Sequence, residues 1–110
     1  MGTRDSMLDH LKLLSHASAQ LEYEKSLTVG GHAPTELVSV FCDDLYQPKD
    51  VEFFQEFSSD EYRGFAHLYG LLVEVAQHKY SNVSEMLKDP KWRRIVEVAQ
   101  NLAAQIKITR

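Results

Sequence analysis

Cysteine is almost missing from this chain, and the one present, Cys42, cannot form an internal disulfide or a CxxC metal or redox pair. Set among apolar residues on an expected helix, it reads as a small buried thiol. No apolar run approaches the roughly 18 residues that would read as a membrane span, and no charged segment followed by an apolar core and cleavage site opens the chain. The expected compartment is therefore the cytoplasm, with no membrane partner. Also missing are a GxxxxGK[ST] loop, a GxGxxG turn after a strand and a GxSxG elbow, so nothing in the motifs argues for nucleotide or hydrolase chemistry. Segments that alternate as strands do are wanting too, and no internal repeat or long linker divides the chain.

What remains is a chain of 110 residues, 44% hydrophobic and 25% charged, the composition of one ordinary globular domain. It is organised around the stretch FSSDEYRGFAHLYGLLVEVAQHKY, from Phe57 to Tyr80. Ser58 and Glu61 have the spacing of a capping box, and Phe57 and Tyr62 that of a hydrophobic staple. Tyr62, Phe65, Tyr69, Leu72, Ala76 and Tyr80 recur at helical steps, with Leu68, Leu71 and Val75 as a second apolar line. This pattern predicts one long, almost wholly buried helix over about 58–80, surrounded by others. Gly64 and Gly70 each cost about 1 kcal/mol against alanine in a helix interior. They mark places where a neighbouring helix or ring is expected to come close.

Before this stretch, Met7, Leu11, Leu14, Ser18 and Leu21 predict a first helix over about 6–26, stopping near Gly30 and Gly31. Residues 1–6 read as a remnant of an expression vector, with a single helical domain over 7–110. Pro34 suits the first position of a second helix that buries Leu37, Val38, Phe41 and Leu45 and ends before Pro48. Asp50 can cap a short helical piece bearing Val51, Phe53, Phe54 and Phe57. After the central helix, Asn82 and Glu85 repeat the cap spacing before Val83, Met86 and Leu87. Asp89 and Pro90 then start a last helix with Trp92, Ile95, Val96, Ala99, Leu102, Ala103 and Ile106 on one face. The expected fold is an all-α compact bundle of four to five helices.

Charge is segregated along the chain. From Glu36 to Glu61 there are eight acidic residues against Lys49 alone, a net of −7; from Lys79 to Arg110 seven basic residues face three acids, a net of +4. Acids do crowd helix starts, where the macrodipole favours them, and that accounts for part of the pattern. The acidic block nonetheless repels nucleic acid and suits docking to a basic protein. Asp43 and Asp44 lie beside Tyr46, so carboxylates would surround an aromatic anchor. On the basic side, Lys88, Lys91, Arg93 and Arg94 could meet phosphates, but Trp92 among them is in phase with the core face. No nucleic-acid partner is expected.

For metal chemistry, Glu74 and His78 stand four apart on one helix, with His67 seven residues earlier. No HExxH motif supports them, and no ExxE or ExxH units recur on facing helices. Asp43 and Asp44, being adjacent, diverge around a helix and make a poor carboxylate pair for catalysis. No metal, cofactor or catalytic residue is expected.

The string DDLYQPKDVEFFQEFSSDEY, with its acidic pair, aromatic-proline break, Phe-rich turn and capped helix, resembles small helical immunity proteins of bacterial toxin systems, including contact-dependent growth inhibition. The later KDPKWRRIVEVAQ fits the same pattern. The resemblance covers about a third of the chain. It implies a cytoplasmic protein that binds a cognate toxin domain, often a nuclease, and blocks its active site or substrate path without catalysis of its own. Asp43, Asp44, Tyr46, Asp50, Glu52 and Glu56 would then be the partner contacts. The alternatives are a small metal-dependent hydrolase using His67, Glu74 and His78, and an adaptor that self-associates through helix faces.

Overall fold

In a computed structural model that describes residues 3–27, 31–47 and 50–108, every regular element is helical. In order these are α1 (Thr3–Leu14), α2 (Ala17–Ser26), α3 (Ala33–Ser39) continued by a π-helical turn (Val40–Leu45), α4 (Val51–Glu56), α5 (Ser59–Ala76), the single turn α6 (Val83–Met86) and α7 (Pro90–Ile108). The all-α expectation is met. α1 and α5 both pack against α7, and the core runs between them through Leu11, Leu14, Phe65, Leu68, Leu72, Trp92, Ile95 and Ile106.

The local start signals act as their chemistry requires. The Ser58 side chain accepts from the Glu61 N–H at 3.2 Å, and the Glu61 carboxylate accepts from the Ser58 N–H at 2.8 Å, so both halves of the capping box are formed. Asn82 accepts from the Glu85 N–H at 2.9 Å at the head of α6. Asp89 accepts from the Lys91 N–H at 2.9 Å at the head of α7, where Pro90 has no N–H to satisfy. At the other end of α2, Leu27 is extended; of the two glycines expected to stop this helix, Gly30 lies outside the described residues, as does Pro48.

Three expectations are corrected. The helix expected over 6–26 is broken at Ser15 and His16, because Gln20, fully buried, turns its amide back onto the carbonyls of Leu13 (3.2 Å) and Leu14 (2.9 Å). Those carbonyls would otherwise be the unpaired end of a helix. The same Gln20 accepts the indole N–H of Trp92 at 3.0 Å, so one side chain ends α1 and satisfies the buried tryptophan of α7. Gln100 adds a donor to the carbonyl of Ser15 at 2.9 Å.

The helical domain begins before residue 7. Arg4 lies in α1 and reaches three other places at once: the carboxylate of Glu61 (3.1 and 2.9 Å), the carbonyl of Glu56 (2.8 Å) and that of Ile106 (3.3 Å). Its guanidinium also lies 5.6 Å from the ring centre of Phe57. Residues 3–6 are therefore part of the fold.

The central helix is neither as long nor as buried as the pattern suggests. It ends at Ala76, and Tyr80 lies beyond it. Phe65, Leu68, Leu72 and Val75 face the core, while Tyr69 and Val73 remain 38% and 40% exposed. Its two glycines differ. A Cβ at Gly64 would run into Leu102 Cδ2, so α7 does come close there; a Cβ at Gly70 would meet nothing within 4 Å.

Candidate functional site

α3 and its π-helical turn lie against the second half of α5, and the space between them is an open groove of about 650 Å³. Val38, Cys42, Tyr69, Val73 and Tyr80 give it apolar walls. Two contacts fix its direction. The rings of Tyr46 and Tyr69 lie 5.1 Å apart, which places the π turn beside the start of the groove. His32, at the head of α3, bonds through Nε2 to the carbonyl of Tyr80 at 2.9 Å and through Nδ1 to the hydroxyl of Thr35 at 2.8 Å. Asp43 therefore stands at one end, and His32, His78 and Lys79 gather at the other.

The π turn itself carries the acidic pair. Asp43 and Asp44 are both exposed, and among the described residues neither enters an ion pair; their carbonyls receive the Gln47 amide at 3.0 and 3.4 Å. An inserted residue of this kind changes the direction of the side chains that follow, and π turns concentrate at functional sites. Here the turn closes with the Tyr46 N–H on the Phe41 carbonyl at 2.8 Å, and the Tyr46 ring stacks on Phe41 at 5.6 Å. Tyr62 lies 6.4 Å from the same ring. Tyr46 is thus a half-buried link between core and groove, and burial pushes its phenol pKa up, reinforced by Tyr62 and Tyr69.

Of the other expected contacts, Asp50 is exposed, its N–H on the Gln47 carbonyl at 3.0 Å, and Glu56 is half-buried with its carbonyl held by Arg4. The side chains of Glu52, Phe53 and Phe54 lie outside the described residues. The acidic block is smaller than the count implies. Glu61, 1% exposed, belongs to Arg4, and Asp60 pairs with Arg63 at 3.3 Å. Among the described residues of the block, Asp43, Asp44, Asp50 and the paired Asp60 face solvent.

At the far end, the Tyr80 hydroxyl donates to the Asp89 carboxylate at 2.5 Å. Burial and this bond push the Tyr80 phenol well above its usual pKa, while the same bond, with the Lys91 N–H, lowers that of Asp89. Cys42, half-buried in the groove wall, is pushed up to about 11 by burial and by the charge of Asp43. Both effects favour the protonated thiol over the reactive thiolate at neutral pH.

The metal trio does not assemble. Glu74 is held by Lys91 at 2.8 Å, and no three potential ligands converge among the described residues. On the basic side, Arg94 pairs with Glu97 at 2.8 Å and Trp92 is fully buried, as its phase predicts. The groove was missed by counting apolar steps, which assigned Tyr69 to the core. Val73 offered a signal, since it falls off both apolar lines of α5.

The geometry defines a class: a small all-α bundle carrying an acid-flanked aromatic groove. No family model, curated protein or solved structure matches the chain.

Proposed function

We propose that this protein is an immunity-type inhibitor that binds a basic toxin domain through the face built on its π turn. The observation that carries the reading is the placement of Asp43 and Asp44, exposed and outside any ion pair among the described residues, on the π turn that ends at Tyr46, whose ring lies 5.1 Å from that of Tyr69. Carboxylates of this kind steer a positively charged partner and pair with its Lys or Arg side chains once desolvated. Tyr46 and the neighbouring exposed Tyr69 supply aromatic anchors of the type that dominates binding energy. Asp50 extends the face, with Glu52 and Glu56 assigned to it from the sequence. Inhibition would be stoichiometric, by covering the toxin's active site or substrate path, and would need no cofactor.

The test is co-purification from the native organism with wild-type bait and with the Asp43→Lys/Asp44→Lys variant. The retained toxin domain is then prepared alone and its affinity for both baits measured at low and high salt. The reading expects a basic partner whose affinity falls with salt and drops by about 2 to 5 kcal/mol on charge reversal. Unchanged affinity and salt dependence would sink it.

A further inference from the structure

Among the described residues three large apolar side chains stand exposed, and two of them, Tyr69 and Val73, lie in the wall of the groove between α3 and α5. Its volume of about 650 Å³ suits a small organic molecule, since sites for such ligands run from roughly 300 to 1,000 Å³. The wall at the His32 end is fixed in advance. Tyr80 is held from both sides, its carbonyl accepting from His32 Nε2 at 2.9 Å and its hydroxyl donating to Asp89 at 2.5 Å. A carbonyl only accepts, so neutral His32 carries its proton on Nε2, and Nδ1 accepts from the Thr35 hydroxyl at 2.8 Å. These side chains are spent on holding the wall. Lys79 is not: it lines the same end, is exposed, and enters no ion pair among the described residues. The carboxylates of this region are engaged elsewhere, Glu74 with Lys91 Nζ at 2.8 Å and Asp89 with the Tyr80 hydroxyl and the Lys91 N–H. A lysine on a convex surface needs no partner. At the end of an apolar concavity it sets a positive charge where the polar end of a bound molecule would meet it.

We infer that the groove binds a small aromatic monocarboxylate, its ring against the apolar wall and its carboxylate at Lys79. The charge at the two ends sets both the orientation and the number of acid groups. Asp43, in the wall at the opposite end, repels a carboxylate there, so the ligand enters one way round and a second acid group counts against it. The carboxylate stays in contact with water at Lys79 while the apolar body leaves water, which avoids the cost of burying a charge. A ring suits the walls better than an alkyl chain, because they present rings at both ends. Tyr69 stands towards the π turn, and Tyr80 and His78, with ring centres 6.1 Å apart, stand beside Lys79. The inference goes beyond the toxin reading and does not rest on it.

Titration calorimetry of the whole chain with phenylbutyrate tests it, with the neutral amide of that acid and octanoate as comparison probes and the helicity of each variant checked by circular dichroism. Phenylbutyrate should bind saturably, one molecule per chain, and more tightly than its amide by about three- to fivefold, the scale of an exposed ion pair. Lys79→Met should remove that preference and leave the affinity of the amide unchanged. Lys88→Met, at an exposed lysine outside the groove lining, should leave the preference intact. Val73→Glu should abolish binding of both probes by placing a carboxylate in the apolar wall. In heteronuclear NMR spectra the backbone signals of Val38, Cys42, Val73 and Ala76 should move with the acid. The absence of saturable binding overturns the inference, as does a preference for the acid that survives Lys79→Met. Octanoate binding more tightly than phenylbutyrate would give the groove to an alkyl acid and overturn it too. So would groove signals that move with the chain's own concentration and not with the acid, which would give the groove to a second copy.

Discussion

Arg4 and Glu61, fifty-seven residues apart, form a two-bonded ion pair in which Nη1 meets Oε1 at 3.1 Å and Nη2 meets Oε2 at 2.9 Å. The carboxylate is buried, and it is also the acceptor that completes the cap of α5. One side chain therefore closes a local motif and a long-range one together.

Removing Arg4 takes a two-bonded ion-pair partner from that buried carboxylate. Arg4→Met should cost about 3 kcal/mol, the lower end for a broken buried pair, since Arg4 itself is partly exposed. The urea midpoint should fall with an unchanged slope. A loss under about 0.5 kcal/mol, the range of ordinary surface substitutions, would mean that the pair is only a surface contact.

Gln20 and Trp92 should behave as a unit. Gln20→Leu orphans the carbonyls of Leu13 and Leu14 and the indole N–H together, at a cost of about 2 to 4 kcal/mol on the scale of unsatisfied buried groups. In the Trp92→Phe background the loss should be smaller, because one orphan has gone. Strict additivity in this double-mutant cycle would contradict the bond.

The two glycines of α5 should respond with opposite signs. Gly64→Ala drives a Cβ into Leu102 and should cost about 1 to 3 kcal/mol, with part of the loss relieved by Leu102→Ala if the cause is the clash. Gly70→Ala meets open space and should stabilise the monomer by up to about 1 kcal/mol. Thermal unfolding at low protein concentration separates the two.

His10 makes stability pH-dependent. It is buried, with Nε2 3.0 Å from the Leu37 carbonyl, and burial lowers its pKa below 6.5 despite that bond. Between the lowered folded value and 6.5 the unfolded chain binds more protons, so stability rises with pH across that window and is lost as pH falls through it. Urea midpoints of the wild type should drop between neutral and mildly acidic pH. His10→Gln, which keeps a donor without the titration, should flatten that part of the curve; an identical slope would assign it to other groups.

What was legible in the sequence was local. Ser58 with Glu61, Asn82 with Glu85, and Asp89 with Pro90 act within one helical turn, and spacing alone locates them. The phase of α7 likewise puts Trp92 inside. The break at Ser15 was invisible because no glycine or proline makes it; Gln20 makes it from the following helix. The π turn left no mark in the periodicity, and with it went the course of Asp43 and Asp44. Arg4 falls in the stretch that reads as a vector remnant, and nothing local corrects that reading, because its partners Glu56, Glu61 and Ile106 are remote in sequence. Tyr69 was assigned to the core because helical spacing reports which residues share a face, not what covers that face.

Cys42 turns the groove into something that can be watched. With a thiol pKa of about 11, only roughly one side chain in ten thousand is ionised at pH 7. Alkylation by a thiol reagent should therefore be slow in the native state and fast in the unfolded chain. The ratio of the two rates measures how far the folded groove wall protects the thiol, read from the mass of a single modified residue.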